Sequence, residues 1–397
     1  VQNGALNLQD LTVRPRTIDD MMSNSISTPW PELGVDYETP LIDSYFKQFL
    51  GIKDPACERE EDREKGHDDP EDQYGFVQAL LGYVCLTGSY DVHILTFIYG
   101  STAGNAKTAT VELLYQLMGD YAVKLQHSVF LPKKSADGDG ADPALMSMKG
   151  KRMGYAEEFS GEKAFDDCRL KDLTGGGSLS SRQLYEGQVT FKQTCKLMLA
   201  SNNKPVFDNH DDAIKRRLVL LKADTEYRND STKTKYDPTN PNHRWGDSNK
   251  VKTPNTEEGR MKLLVWLAHG AKRFYDANCT LPPIPKSLSD FADEVQLEND
   301  VVGSFVHDMC VIDPAFHVSE MTTYCDYQSG PDSRYLYLAE NLAADFKDNT
   351  AKEFSNTYKR QLMRQYGIGN AGCVKDPALT LGHFTWVSRN LYRLPKK

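Results

Sequence analysis

The stretch Ile94–Gly119, ILTFIYGSTAGNAKTATVELLYQLMG, constrains the fold more than any other part of the chain. An apolar β-type run ends at a tyrosine, a loop of small residues follows, and Lys107-Thr108 opens an apolar segment of helical period. Strand, small-residue loop, helix is the order that a phosphate-binding loop requires. Small residues let backbone N–H groups close around phosphate oxygens, and the helix N-terminus adds the positive end of its dipole. In such a loop Lys107 reaches the β- and γ-phosphates of ATP and the Thr108 hydroxyl holds Mg²⁺. Gly100, Gly104, Asn105 and Ala106 supply the rest of the cradle. The usual pattern is G-x-x-x-x-G-K-[ST]; here Gly100 lies one residue too far upstream and Ala106 replaces the second glycine. A methyl group at 106 is expected to crowd the β-phosphate turn, so that Ala106→Gly tightens ATP binding.

A chain of 397 residues predicts two or three domains with ample core. Apolar residues make up 39% and charged residues 26%, ordinary values for a globular protein. No apolar run approaches the roughly 18 residues needed to span a bilayer, and no signal-peptide pattern opens the chain. The first residue is Val1 rather than Met, which suggests a piece of something longer. The eight cysteines are scattered without a C-x-x-C pair, as expected for a reduced, intracellular protein. His307, Cys310, His317 and Cys325 fit no standard zinc spacing, and Asp137-Gly-Asp139-Gly lacks calcium ligands at Ala141 and Met148.

The net charge of −9 argues against a generally basic nucleic-acid coat, but charge is unevenly placed. Residues 54–72 hold ten acidic and three basic side chains, whereas residues 358–397 hold eight basic and one acidic. The acidic block is expected to be a solvated loop. The basic tail, interleaved with Phe384, Trp386 and Tyr392, fits a nucleic-acid footprint and the solvated face of a small domain equally well.

Residues 1–40 are polar and turn-rich, and Leu41–Leu50 and Tyr74–Leu86 read as helices flanking the charged loop. This predicts a helical N-terminal domain over residues 1–88. From Ile94 short apolar runs alternate with helical segments, the mark of an α/β core with a parallel sheet over residues 89–280. The strand candidates are Ile94–Tyr99, Ser128–Leu131, Arg152–Glu157, Lys196–Ala200 and Arg217–Leu221. Residues 225–258 lack periodicity and predict a long loop. Glu257–Asp276 predicts a helix, acidic at its start and basic toward its end as the macrodipole prefers. Pro282, Pro283 and Pro285 then break the chain. Residues 287–397 mix expected helices, Leu336–Phe346 and Ala351–Tyr366, with a β-like ending at Thr385–Leu391, which suits a small winged-helix module.

A phosphate loop alone binds nucleotide; hydrolysis also needs acids, a polar sensor and a positive charge. Arg152–Glu158 is a β-type run ending in the carboxylates Glu157 and Glu158. At a strand tip beside the loop, one can hold the Mg²⁺ shell and the other can polarise the attacking water. Lys196–Asn203 is a second strand ending in amides, where Asn202 can orient that water; capping alone would also place asparagine there. Arg216 and Arg217 begin a third strand, and either a charge-stabilising arginine finger or a surface ion pair accounts for them.

Taken in order, these segments resemble the superfamily 3 helicase part of primase–helicases from phages, plasmids and large DNA viruses, including the poxvirus type. That family's loop resembles FLYGPGGNGKST followed by a helix ending LLGDYA; here Asn105, Lys107, Gly119, Asp120 and Tyr121 are in register from the lysine. Upstream, Leu81–Gly88 resembles an LGYxLTG lead-in. Downstream, Lys171–Gly176 resembles K-x-L-T-G-G-D, with Gly177 where Asp is expected. Ser181–Tyr185 resembles aRxLY, Ser201–Pro205 resembles TNxxP, and Asp212–Arg217 resembles DxaIwRR, with Lys215 in place of the aromatic. The match is specific from about residue 40 to 222 and looser beyond.

The resemblance implies an AAA+-like ATPase core that assembles as a ring, a hexamer, around single-stranded or forked DNA, with a primase domain or protein as partner. It implies action at a viral or mobile-element replication site in host cytoplasm or nucleus. Lys107 and Thr108 would bind ATP and Mg²⁺, and Glu157 and Glu158 would form the Walker B pair, with Glu158 aligned to the family's acid. Asn202 would be the sensor, and Arg216 or Arg217 the finger on the neighbouring subunit's nucleotide. The family also carries a DNA-gripping hairpin between the acid and sensor strands. Leu184–Phe191, turning at Glu186-Gly187, suits it, with Arg182 and Lys192 flanking it for phosphate contacts. Two other readings are a nucleotide-binding ring or scaffold with a degenerate loop, favoured by Ala106, and a small-molecule P-loop kinase, which the TGG segment and paired arginines fit poorly.

Overall fold

A computed structural model describes residues 1–31, 38–57, 59–132, 142–159, 164–181, 187–207, 212–232, 234–246 and 253–299, and beyond them four short strands. The chain divides into two compact units, Val1–Asp293 and Glu294–Lys397.

The first unit is built on a five-stranded sheet. After two short paired strands, β1 (Ala5–Leu6) and β2 (Val13–Arg14), come the helices α1 (Pro40–Phe49), α2 (Glu60–Arg63) and α3 (Gln73–Leu86). The core then runs β3 (Leu95–Tyr99), α4 (Lys107–Met118), β4 (Ala122–Lys124), α5 (Pro143–Ser147), β5 (Met153–Glu157) and α6 (Asp167–Thr174). A hairpin of β6 (Ser178–Ser181) and β7 (Val189–Lys192) leads to β8 (Lys196–Ser201), α7 (Asp212–Lys215) and β9 (Leu218–Lys222). The sheet order is β4-β5-β8-β3-β9, and every neighbouring pair is parallel. Its inner strands β3 and β8 read LTFIY and KLMLAS, and the edge strand β9 reads LVLLK, near-continuous apolar runs suited to burial on both faces.

Because β3 lies between β8 and β9 while α4 carries the chain to β4 at the far edge, the crossover leaves a crevice beyond the strands' C-terminal ends. Lys124, Glu157, Ser201, Tyr99 and Lys222 end the five strands there. Helix α3 is buried almost all round and packs against α8 (Glu257–Asp276). Their backbones approach so closely that a Cβ on Gly82 would lie 2.2 Å from Ala271 N, and one on Gly270 would lie 2.0 Å from Gln78 O. Phe46 of α1 stacks on Trp266 of α8 at 4.1 Å, and the Trp266 indole donates to Tyr74 OH at 2.6 Å. The same apolar cluster runs from Phe46 and Leu80 through Met198 and Val219, so residues 1–88 and the sheet share one core.

Three sequence expectations change. Ser128–Leu131 is not a strand: His127–Phe130 is a 3₁₀ turn that buries Val129 and Phe130, and the edge strand is Ala122–Lys124. Short apolar runs do not distinguish these outcomes by period. Residues 225–258 contain more than loop, since β10 (Glu226–Arg228) and β11 (His243–Trp245) pair in parallel as an arch. The hairpin also starts earlier than expected, with Ser178 opposite Lys192 and Ser181 opposite Val189. Ser180 and Thr190, exposed partners in that ladder, share a hydrogen bond of 2.7 Å.

Helix α9 (Lys286–Asn299) begins in the first unit, where Phe291 lies 5.7 Å from Tyr99 between ring centroids. In the second unit, β12 (Cys310–Ile312) pairs with β15 (Leu391–Arg393) and β13 (Cys373–Lys375) with β14 (Phe384–Trp386), both antiparallel. The helices expected at Leu336–Phe346 and Ala351–Tyr366, on which the winged-helix reading depends, lie outside the described residues.

Candidate nucleotide site

Lys107 is the first residue of α4 and is 8% exposed. Its Nζ donates to Asn105 Oδ1 at 3.3 Å and to Asn202 Oδ1. Burial lowers the Lys107 pKa, and the Glu157 carboxylate opposes that shift. The ammonium therefore sits among the ends of β3, β5 and β8, where the sequence placed an acid and a sensor amide.

The loop before it is held from several sides. Asn105, 1% exposed, donates from Nδ2 to Thr102 O at 2.7 Å, and a Cβ on Gly100 would collide with that amide. Gly104 has φ +83° and Ala106, at the N-cap of α4, has φ +61°; both lie in the left-handed region that favours glycine, and only the first has it. Thr110 Oγ1 donates to Ala106 O at 2.9 Å and shares a 2.7 Å hydrogen bond with Tyr45 OH, tying α1 to the first turn of α4. Thr108 is exposed on that turn.

The two acids differ. Glu157 ends β5 and accepts from Lys124 Nζ at 2.8 Å, with its side chain 10% exposed. Its Oε1 is buried without a hydrogen-bond partner. The orphaned carboxylate oxygen of Glu157 and the exposed hydroxyl of Thr108 are both hard oxygen donors, the chemistry that a hydrated Mg²⁺ takes. Glu158 is exposed, with φ +62°. Its N–H donates to Ala200 O at 3.2 Å, which holds the tip of β5 beside β8. Asn202 is exposed at the end of β8, and Asn203 Nδ2 donates to Phe159 O at 2.7 Å.

Arg216 and Arg217 are not brought to this site. They precede β9, and Leu218 pairs with Leu95 whereas Lys222 pairs with Tyr99. The five residues of β9 separate them from the loop, about 16 Å. Arg217 donates from Nη1 to Ala213 O at 2.7 Å, whereas Arg216 is exposed. Lys192 is exposed at the base of the hairpin, and Arg182 lies outside the described residues.

Sequence reasoning missed Lys124, because the strand carrying it was sought six residues later; its alternation within Ala122–Lys124 was too short to find. It also missed Arg228, carried to the loop by the arch. Among the described residues no cluster of His, Cys, Asp or Glu could hold a metal ion by itself, and no helix is long and apolar enough to cross a membrane.

No protein-family profile matches the chain. It is similar to a putative helicase of Acanthamoeba polyphaga mimivirus, 26% identical over 322 residues, covering 78% of this chain and 30% of that protein. A putative primase of African swine fever virus is 22% identical over 289 residues, covering 70% of this chain and 29% of the relative. A fowlpox virus primase is 25% identical over 229 residues, covering 55% and 28%. The chain thus spans under a third of the length of these viral relatives. Among solved structures, the apo C-terminal region of NrS-1 matches with a TM-score of 0.43 at 13% identity, covering 92% of this chain and 83% of that one.

Proposed function

We propose that the first unit is an ATPase that drives movement along single-stranded DNA in the replication of a virus or mobile element, as the helicase part of a primase–helicase. The observation that carries this reading is the Lys107 ammonium, buried at the C-terminal ends of parallel strands and shared between Asn105 and Asn202, with Glu157 alongside. Viral relatives named as helicases and primases support it.

In this reading Lys107 neutralises the β- and γ-phosphates, and Asn202 passes from the lysine to the attacking water. Thr108 and Glu157 would hold the Mg²⁺ that accompanies ATP and offsets phosphate charge. Glu158, exposed at the tip of β5, accepts the water's proton. Arg216 cannot reach its own subunit's loop, so it serves a neighbour in a ring, as a hexamer allows. Lys192 and the hairpin contact DNA phosphates, a role that needs few charges per subunit because the copies repeat.

The test is ATP hydrolysis with and without single-stranded DNA. Turnover should rise with DNA and vanish in Lys107→Ala; unchanged turnover in that variant would sink the assignment. A second reading, a nucleotide-binding scaffold that does not hydrolyse, draws on Ala106 at φ +61°. Tight binding of an ATP analogue with no turnover under any DNA condition would favour it.

A further inference from the structure

The arch formed by β10 and β11 touches the phosphate loop directly. Tyr227 N–H donates to Gly104 O at 2.8 Å, so the arch's first strand is bonded to the middle of the loop. The next residue is Arg228. A Cβ added to Gly104 would lie 2.8 Å from Arg228 Nη1 and 3.4 Å from Tyr227 O. The guanidinium therefore lies flush on the loop, in space that any side chain at 104 would fill.

That guanidinium is fixed in place. Nε and Nη2 both donate to Glu226 Oε2, at 3.1 and 2.6 Å, and the two side chains are 14% and 20% exposed. Glu226 is backed by His243, whose Nε2 lies 3.6 Å from the same oxygen. His243 Nδ1 accepts from Asp237 N at 3.1 Å, so the ring's proton sits on Nε2 and faces the carboxylate. Arg228 O in turn accepts from Gly246 N at 2.7 Å, closing the arch. Two of the three nitrogens of the fork are committed to Glu226, and the third is turned to the loop.

We propose that Arg228 belongs to the phosphate-binding apparatus as a positioning residue acting in cis. It braces Gly104 in its left-handed conformation, so that the loop's N–H groups converge, and it sets a permanent positive charge behind them. The loop of this chain is one residue longer than the usual pattern and carries alanine at 106; the brace restrains that longer loop from outside. Glu226 orients the fork, and His243 orients Glu226. This inference rests on the nucleotide-site reading of the loop and adds a residue to it.

The test measures affinity of the full chain for Mg²⁺ with a fluorescent, non-hydrolysable ATP analogue, together with the melting temperature without nucleotide. Arg228→Ala and Arg228→Gln, the second keeping the stem and a polar head, should bind about tenfold more weakly or worse, the scale of one lost charge-assisted contact. Melting should stay within about 2 °C of wild type in the glutamine variant, where the stem still packs. In turnover the ATP KM should rise while kcat changes less than about twofold, the pattern of lost ground-state binding. Arg228→Lys keeps the charge but not the fork and should recover part of the affinity. Full recovery would overturn the bracing role. Wild-type affinity in Arg228→Gln, with binding lost in Lys107→Ala, would overturn this inference and leave the nucleotide site standing. Wild-type affinity in Lys107→Ala would instead remove the site itself. Loss of affinity accompanied by an equal collapse of melting in both Arg228 variants would reduce the residue to a structural one.

Discussion

Ala106 shows how one residue sets the working range of a site. At φ +61° its Cβ meets the following carbonyl, a cost of about 1 kcal/mol that glycine escapes. The sequence suggested a methyl group pressing on phosphate; the structure adds a conformational cost borne by the protein itself. Ala106→Gly should therefore raise stability by about 0.5–1 kcal/mol, less the extra freedom of glycine in the unfolded chain. It should also tighten the ATP analogue. Calorimetric melting and the binding titration check the two effects separately. A lowered melting temperature would mean that the loop's neighbours, Tyr45 and Thr110 among them, already compensate for the alanine.

At the scale of elements, the crossing of α3 and α8 depends on two glycines whose missing side chains let backbone meet backbone. Gly270→Ala should destabilise the first unit by about 2–3 kcal/mol, since the new methyl faces the Gln78 carbonyl rather than a movable side chain. Denaturant unfolding would read this as a lowered midpoint at unchanged slope. The elements themselves were unevenly legible. Strands β3, β5, β8 and β9 and helix α8 stood out because their apolar runs are long or strongly periodic. The edge strand Ala122–Lys124 has three residues, too few for a period to register, and the apolar Val129-Phe130 nearby drew the assignment instead. The arch was hidden for another reason. Its strands are held by Arg59 over Trp245, Tyr236 OH on Asp62 and Lys65 on His243 O, contacts between distant and mostly polar residues that no local pattern announces. The site followed the same division: Lys107, Glu157 and Asn202 were readable because strand ends place them, whereas Lys124 and Arg228 were not.

At the scale of the molecule, charge is buried where the sheet meets the helices. Lys196, fully buried at the start of β8, donates to Thr87 O and to Thr87 Oγ1 at 2.9 Å, and burial pushes its pKa down to about 7. Arg152 lowers it further, while Cys195, Cys85 and Asp91 oppose the shift. An unfolded lysine keeps its proton to about pH 10.4, so above pH 7 the unfolded chain binds more protons and stability rises with pH. The rise should approach 1.4 kcal/mol per pH unit at most. It is cleanest up to about pH 8.5, above which the buried thiols Cys85 and Cys195, each raised to about 12, act in the opposite direction. Denaturation across that window should show the slope in wild type and a flatter line in Lys196→Met. The placement of Arg216 makes a prediction about assembly. Lys107→Ala and Arg216→Ala, each inactive alone, should regain ATPase activity when mixed, because one supplies the loop and the other the arginine. Mixtures as silent as their components would argue that hydrolysis is not shared between subunits.

The stack of Phe46 on Trp266 also decides where this gene can be cut. The sequence pattern predicts a domain boundary after residue 88, and a shorter version beginning there is the natural design for a minimal enzyme. Such a version would keep Trp266, Leu267 and Phe274 while discarding the helices that cover them, leaving the long helix with an oily flank and the phosphate loop without its Tyr45 tether. Any trimmed form intended to stay in solution must keep the residues from Pro40 onward attached.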